Sequence, residues 1–406
     1  MVRRVVRACA LVAAAATLAS CTIGDTGRLE PAAHTSDASL VEKTTEKASP
    51  RPPKVNVANG ETGVAPLDPI TVTAAAGLSS VTMTNEAGKE VEGEFGDDKS
   101  EWSVTEPLGY GRTYTVEARD KEGQKAVSSF TTLTPDATVN SYIGPLDGAT
   151  VGVAQAVTIR FDSPVQDTKA MEEHIDVETS NDTEGAFFWL DPYEVRWRPK
   201  DYWEPGTEVS VKVDIYGEKL GKGLYGGGDN ETNFTIGDKV EAVVDNADKM
   251  LRVYSGDELV KEFPISLGTD GQYDTPNGVY VVGDEHEKLT MDSRSFGLAL
   301  DAGGYVTPVD YATQLSYSGI YLHSAPWALG AMGSYNQSHG CINASYDNAQ
   351  WFQNFVKRGD PVVVKNTAGG TLTPYDGLGY WNLDWEQRSG LSLIHISEPT
   401  RLLSIS

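Results

Sequence analysis

Three cysteines in 406 residues are too few to cross-link the chain, which excludes a disulfide-built scaffold. Their odd number carries more information, because an unpaired thiol in an exported protein is reactive unless something shields it. Basic residues are also scarce, with 33 Lys and Arg against 58 Asp and Glu and a net charge of −25. A face basic enough for polyanions is therefore missing, and no nucleic acid partner is expected. No apolar run is long enough for a comfortable membrane span. What remains, 39% hydrophobic residues with 41 Gly and 20 Pro, suits globular modules. At roughly 100–200 residues per domain, two to four are expected.

The N-terminus sets the compartment. Residues 1–20 carry Arg3, Arg4 and Arg7, a short Ala/Leu/Val run, and Leu18-Ala19-Ser20 before Cys21. That order reads as a secretory signal peptide. Leu-Ala-Ser-Cys also resembles a bacterial lipobox, which implies that Cys21 is lipidated and anchors the chain at the outer face of the cytoplasmic membrane. The plainer reading is an ordinary signal peptide with an incidental cysteine. Cys9 would be discarded either way. Residues 21–53 are rich in Thr, Ser, Ala, Glu, Lys and Pro and read as a flexible tether.

Residues 54–135 alternate short strand-like runs with turns such as Asn85-Glu-Ala-Gly88 and Asp120-Lys-Glu-Gly123, the pattern of an immunoglobulin-like β-sandwich. Residues 136–238 repeat it. Asn59-Gly-Glu-Thr-Gly-Val-Ala aligns with Asp147-Gly-Ala-Thr-Val-Gly-Val-Ala, and Gly109-Tyr-Gly-Arg-Thr-Tyr with Glu204-Pro-Gly-Thr-Glu-Val. Trp189, Trp197 and Trp203 are read as core, with a ligand platform as the alternative. Residues 239–367 form a third, mostly β domain. It opens on Lys239-Val-Glu-Ala-Val-Val-Asp, continues with a hairpin around Ser255-Gly-Asp, and holds a short helix. Ser345 or Asp347 caps that helix, Ala349, Phe352, Phe355 and Val356 share one face, and Gly359 ends it. The fold class is mainly β.

Chemistry concentrates in Gly319-Ile-Tyr-Leu-His323-Ser-Ala-Pro-Trp327 and Asn336-Gln-Ser-His339-Gly-Cys341-Ile-Asn343. A thiol attacks carbonyl carbon as the thiolate, and an adjacent imidazole lowers its pKa and takes its proton. Gly340 lets the backbone approach a substrate, and the N–H groups around Gly340 and Cys341 can hold an oxyanion. If Cys341 opens the turn before the helix, the helix dipole adds to thiolate stability. Zinc bound by His323, His339 and Cys341 lacks a fourth ligand and the usual paired spacings, so neither metal nor cofactor is expected. An inert buried cysteine fits poorly in a Ser-His-Gly-Cys context, and a papain-like site has a different local signature.

Ser338-His339-Gly340-Cys341-Ile342-Asn343, with His323 eighteen residues before the cysteine, resembles the signature of the L,D-transpeptidases with a YkuD-like domain. Ser266-Leu-Gly-Thr-Asp-Gly-Gln-Tyr-Asp-Thr-Pro-Asn-Gly is similar to that family's Gly…Thr-Pro-x-Gly segment, and Met291-Asp-Ser and His323-Ser-Ala-Pro-Trp also match. The plan of lipobox, tether, two immunoglobulin-like modules, catalytic domain and aromatic appendage resembles mycobacterial and related actinobacterial members. The resemblance implies that Cys341 is the nucleophile and His323 the base, although either imidazole can serve on sequence alone. It implies that Ser324 orients His323 through its carbonyl, and that His339 and Gly340 shape the loop. Ser338, Asn343, Tyr305, Met291 and Trp327 would line the substrate pocket.

The implied partners are peptidoglycan stem peptides as donor and acceptor, with carbapenem-type β-lactams as acylating inhibitors. The implied reaction is a 3→3 cross-link formed with loss of D-Ala. The alternatives are hydrolysis at the same site, as an L,D-carboxypeptidase or endopeptidase, and a non-enzymatic wall-binding lipoprotein. Residues 301–318, with Gly303-Gly304 as a hinge, are read as a lid, with a plain β-hairpin as the alternative. The sandwiches are read as a spacer with Gly- and Pro-rich joints that give reach, or as wall-binding modules. Residues 368–389 form a Trp-rich appendage expected on the catalytic domain. Residues 390–406 depart from the family and resemble a translated sequencing adapter, so a non-native tail is expected there.

Overall fold

The computed structural model describes residues 51–385. The expected signal peptide, Cys21, most of the tether and the expected non-native tail lie outside the described residues. The first sandwich pairs a sheet of Lys54–Val55, Thr71–Thr73, Glu101–Val104 and Gly93–Phe95 with one of Glu61–Val64, Lys125–Thr132, Thr113–Asp120 and Leu78–Asn85. Alternation drives it. Along Thr113–Asp120 every second residue is buried, and Val72, Met83, Trp102, Val116 and Phe130 meet between the sheets.

The second sandwich joins Ser141–Gly144, Val157–Phe161, Glu194–Pro199 and Gly185–Asp191 to Thr150–Val151, Asn230–Ile236, Glu208–Val213 and Ile175–Thr179. Trp189, Trp197 and Trp203 all lie in its core. A five-residue helix, Thr168–Glu172, is capped by Asp167 and has no counterpart in the sequence reading. The internal repeat has a structural cause. In each module a short strand pairs in parallel with the closing strand, Glu61–Val64 with Lys125–Thr132 and Thr150–Val151 with Asn230–Ile236. Each follows an Asn-Gly or Asp-Gly turn whose glycine has positive φ, 84° at Gly60 and 71° at Gly148.

The joint between the sandwiches is packed, contrary to the flexible joints expected. The Tyr110 hydroxyl donates to the Gly226 carbonyl at 2.8 Å and accepts from the Gly217 amide at 2.9 Å. Tyr216 donates to the Leu108 carbonyl at 2.7 Å, and the two tyrosine rings lie 5.2 Å apart. Glycine at position 217 serves this close contact, since a Cβ there would lie 2.5 Å from Leu67.

The third domain has a five-stranded sheet, Glu258–Pro264, Met250–Ser255, Val240–Asp245, Pro361–Lys365 and Gly278–Val281. A four-stranded sheet, Glu285–Asp292, Val306–Gln314, Tyr321–Ser324 and Ile342–Ala344, lies with it. Val244, Leu251, Phe263, Leu322, Ile342 and Phe352 share one core. The helix Tyr346–Phe355 is capped by Ser345, whose hydroxyl accepts from the Asn348 amide, and it buries Ala349 and Phe352. Phe355 is only partly buried, and the chain turns extended at Val356, three residues before Gly359.

Strand Glu194–Pro199 is buried at every position, although its sequence alternates charged and apolar residues. Val195 and Trp197 enter the sandwich core, so Glu194, Arg196 and Arg198 face the other way. The appendage covers that face. Arg196 donates to the Gly377 carbonyl and Arg198 to the Leu383 carbonyl. The Arg198 guanidinium sits 4.0 Å from the Trp381 ring, and Arg196 lies 5.2 Å from Tyr380. Asn382 meanwhile bonds both backbone groups of Val279, and Asp376 accepts the Tyr317 and Ser318 amides. The appendage therefore stitches the catalytic domain to the second sandwich rather than lying on the catalytic domain alone. Glu194 and the Pro199 and Lys200 carbonyls already engage these guanidinium groups within the sandwich, and the appendage supplies further acceptors while it closes the face from water.

Candidate active site

Two short parallel strands make the site. Tyr321–Ser324 runs beside Ile342–Ala344, with Leu322 opposite Ile342 and His323 opposite Asn343. Side chains alternate across a strand. Leu322 and Ile342 enter the core, so His323 and Asn343 face the other way, and Cys341, one residue before Ile342, falls on their side. The eighteen-position separation of His323 and Cys341 thus collapses to a diagonal across one strand pair. Both line a cleft of about 370 Å³ with Met291, Tyr305, Trp327, Ser338, His339 and Asn343.

His323 is buried, and its Nδ1 lies 2.9 Å from the Ser324 carbonyl. A carbonyl only accepts, so Nδ1 carries the proton and Nε2 is left free to take one. Burial holds the imidazole pKa below its ordinary value, which keeps the ring neutral at pH 7. The Ser324 hydroxyl is buried with no partner among the described residues, so Ser324 acts here through its backbone alone.

Cys341 is 4% exposed and packs against Met291, Val309 and Ala312. Its thiol donates to the Gly319 carbonyl across 3.5 Å. Burial pushes the thiol up to about 11, opposed in part by the Tyr321 backbone N–H. The resting pair is therefore a neutral thiol and a neutral imidazole, not the lowered thiol expected from sequence. The helix dipole does not act either, because strand Ile342–Ala344 and Ser345 separate Cys341 from the helix. A measurable consequence follows for alkylation by iodoacetamide. The rate at Cys341 should rise about tenfold per pH unit with no plateau near 8.5, the ordinary cysteine value. A plateau at that ordinary value would refute the protonated resting state.

Gly340 has φ +121°, a conformation side chains rarely adopt, although a Cβ there would meet nothing closer than 3.9 Å. Backbone conformation rather than space demands glycine. Ser338 lines the cleft, but its hydroxyl accepts from the Gly340 amide at 3.1 Å and donates to the Cys341 carbonyl at 2.7 Å. Ser338 thus braces the loop, and the Gly340 N–H is already engaged. His339 is exposed, its ring 4.3 Å from Tyr273 and 5.0 Å from Tyr305. Trp327 stands 57% exposed at the rim, its ring 6.1 Å from that of His323.

Within residues 301–318 the chain forms a strand of a β-hairpin. Val306–Gln314 pairs antiparallel with Glu285–Asp292 and then with Tyr321–Ser324. Thr307 and Val309 from this strand, and Gln337, also line the cleft and escaped sequence reasoning. Period-two spacing from Tyr305 was the available signal for the first two. Tyr273 and Thr275 were visible only as part of the Thr-Pro-x-Gly segment, with no role at the site assigned to either. They lie some 65 residues before the cysteine in sequence, and only the fold brings them to the loop.

The model of a bacterial Ig domain matches residues 61–219, and that of an L,D-transpeptidase catalytic domain matches residues 239–364. The chain is 46% identical over 355 residues to L,D-transpeptidase 2 of Mycobacterium tuberculosis, covering 86% of this chain and 87% of that one. It is 33% identical over 384 residues to L,D-transpeptidase 5 of the same species, covering 91% and 83%. A solved LD transpeptidase in complex with imipenem is 36% identical over 55% of this chain and 97% of that one, with a TM-score of 0.49. A cysteine and a histidine on one face of a parallel strand pair, behind immunoglobulin-like modules and matched along most of a relative's length, place this chain in the L,D-transpeptidase family.

Proposed function

We propose that this protein forms 3→3 cross-links in peptidoglycan through a cysteine thioester. The observation that carries the reading is the shared cleft of Cys341 and His323, with the imidazole tautomer set by the Ser324 carbonyl. His323 Nε2 takes the thiol proton as Sγ attacks the carbonyl of the third stem residue in a tetrapeptide donor. The carbon–sulfur bond forms, the bond to the terminal D-Ala nitrogen breaks, and the imidazolium returns its proton to the departing amine. A side-chain amine on the third residue of a neighbouring stem then attacks the thioester. The new amide forms, the carbon–sulfur bond breaks, and the sulfur regains a proton.

A resting neutral pair suits this sequence, because the thiolate arises only when a substrate occupies the cleft. Tyr305, Met291, Trp327 and Asn343 position the donor stem. A carbapenem offers the same nucleophile a strained amide carbonyl and acylates Cys341. We place the protein at the outer face of the cytoplasmic membrane, lipidated at Cys21, with the sandwiches as a stiff spacer toward the wall. The packed tyrosine joint and the stitched appendage support stiffness.

The test is mass spectrometry of products from a disaccharide-tetrapeptide donor. Cross-linked dimers lacking one D-Ala are expected. Tripeptides alone would turn the reading to a carboxypeptidase, and unchanged donor would remove it.

A further inference from the structure

The Thr275-Pro276-Asn277-Gly278 run, conspicuous in sequence, touches no substrate-lining surface, and its first residue points to a separate job. We propose that Thr275 is a positioning residue for the oxyanion, acting by fixing the Gly340–Cys341 peptide so that the Cys341 N–H faces the cleft. The proposal rests on the acyl-transfer reading above.

Thr275 is 1% exposed behind the nucleophile loop. Its hydroxyl donates to the Gly340 carbonyl at 2.7 Å and accepts from the Gly268 amide at 3.0 Å. That hydroxyl is therefore oriented from both sides, and it holds one specific carbonyl. In a planar trans peptide the C=O and the following N–H point in opposite directions. A Gly340 carbonyl drawn inward to buried Thr275 turns the Cys341 N–H outward, toward the side where Cys341 and His339 line the cleft.

The other donor beside the nucleophile is unavailable, because the Gly340 N–H is bonded to the Ser338 hydroxyl. The Cys341 N–H has no partner among the described residues. It is the free amide nearest the sulfur, where negative oxygen develops in a tetrahedral intermediate. The arrangement leaves little room to shift. A Cβ on Gly268 would lie 1.8 Å from the Tyr273 carbonyl oxygen and 2.9 Å from the Gly340 Cα. Two glycines thus press the Ser266–Tyr273 backbone against the loop, and Thr275 ties the two together.

The experiment compares Thr275→Val, which keeps the shape and loses the hydroxyl, with Thr275→Ser, which keeps the hydroxyl. Two reactions of Cys341 are followed by intact mass. Acylation by imipenem passes through an oxyanion, and alkylation by iodoacetamide does not. In Thr275→Val the acylation rate constant should fall roughly 10- to 100-fold, below the loss expected from deleting a donor outright, while alkylation keeps the wild-type rate. Thr275→Ser should restore acylation. Equal loss of both reactions in Thr275→Val, unaltered acylation in Thr275→Val, or a Thr275→Ser variant as slow as Thr275→Val would overturn the proposal. A wild-type protein that is alkylated but never acylated would overturn the acyl-transfer reading itself, and this proposal with it.

Discussion

Cys341→Ala is expected to fold as the wild type does, to gain no mass on exposure to imipenem, and to form no cross-linked dimers. Covalent catalysis has no substitute nucleophile at this position. Cys341 is the free cysteine among the described residues, and the serine that shares its loop, Ser338, has its hydroxyl locked between Gly340 and the Cys341 carbonyl. Removing a nucleophile from a catalytic group that acts as a unit costs on the order of 10⁶ in rate in the best-measured hydrolase. The structural cost is small by comparison. One sulfur leaves a pocket walled by Met291, Val309 and Ala312, which amounts to about 1 kcal/mol, typical of a point substitution. Unfolding midpoints near wild type combined with full loss of the imipenem adduct would separate chemistry from folding. Adduct formation in Cys341→Ala would sink the nucleophile assignment.

His323→Gln has the second largest expected effect. Glutamine can still donate to the Ser324 carbonyl, but it cannot accept the thiol proton. General-base catalysis is worth about 10²–10⁴ in rate, and acylation near neutral pH should drop by that factor. The defect should also depend on pH. In wild type the imidazole, held below its ordinary pKa, stays neutral down to mildly acidic pH, so acylation is flat through neutrality and falls only in acid. In His323→Gln the thiolate must form unaided, so the rate should climb with pH toward the thiol's own value of about 11. His339→Gln removes a ring packed between Tyr273 and Tyr305 and should cost less, without the climbing profile. A larger loss in His339→Gln would exchange the two roles.

Much of this site was legible before any coordinates, for reasons that differ between residues. Cys341, His323 and Gly340 sit in a compact motif whose chemistry restricts residue type, so sequence exposes them. The alternating strands of the sandwiches, with Asn-Gly and Asp-Gly turns, are local signals of the same kind. The protonation state was not legible. It depends on how completely Met291, Val309 and Ala312 exclude water from the sulfur, which is a property of packing. Thr275 was visible as a motif and silent as a function, because its partner carbonyl belongs to a residue 65 positions away. The joints were misread for a related reason. Glycine and proline mark chain turns, but Gly217 permits close approach rather than motion, and what it admits is Leu67.

The stitched C-terminal segment also constrains the order of assembly. Tyr380 and Trp381 reach the Ala154 carbonyl across 226 and 227 residues. A chain that matures from its N-terminus can close the tryptophan core of its second sandwich early. It cannot yet complete the burial of Arg196 and Arg198, which bond Glu194 and the Pro199 and Lys200 carbonyls locally but take further acceptors from residues 377 and 383. Until then the charged face of that strand has no cover from the C-terminal segment. The catalytic domain must form in between, and once it has, the Asn382–Val279 contacts bring the last turn to its destination. Tyr380 then closes a short path over a folded body rather than a long loop of free chain, and the entropic cost shrinks accordingly. The middle module is thus the second to be synthesised and the last to be finished.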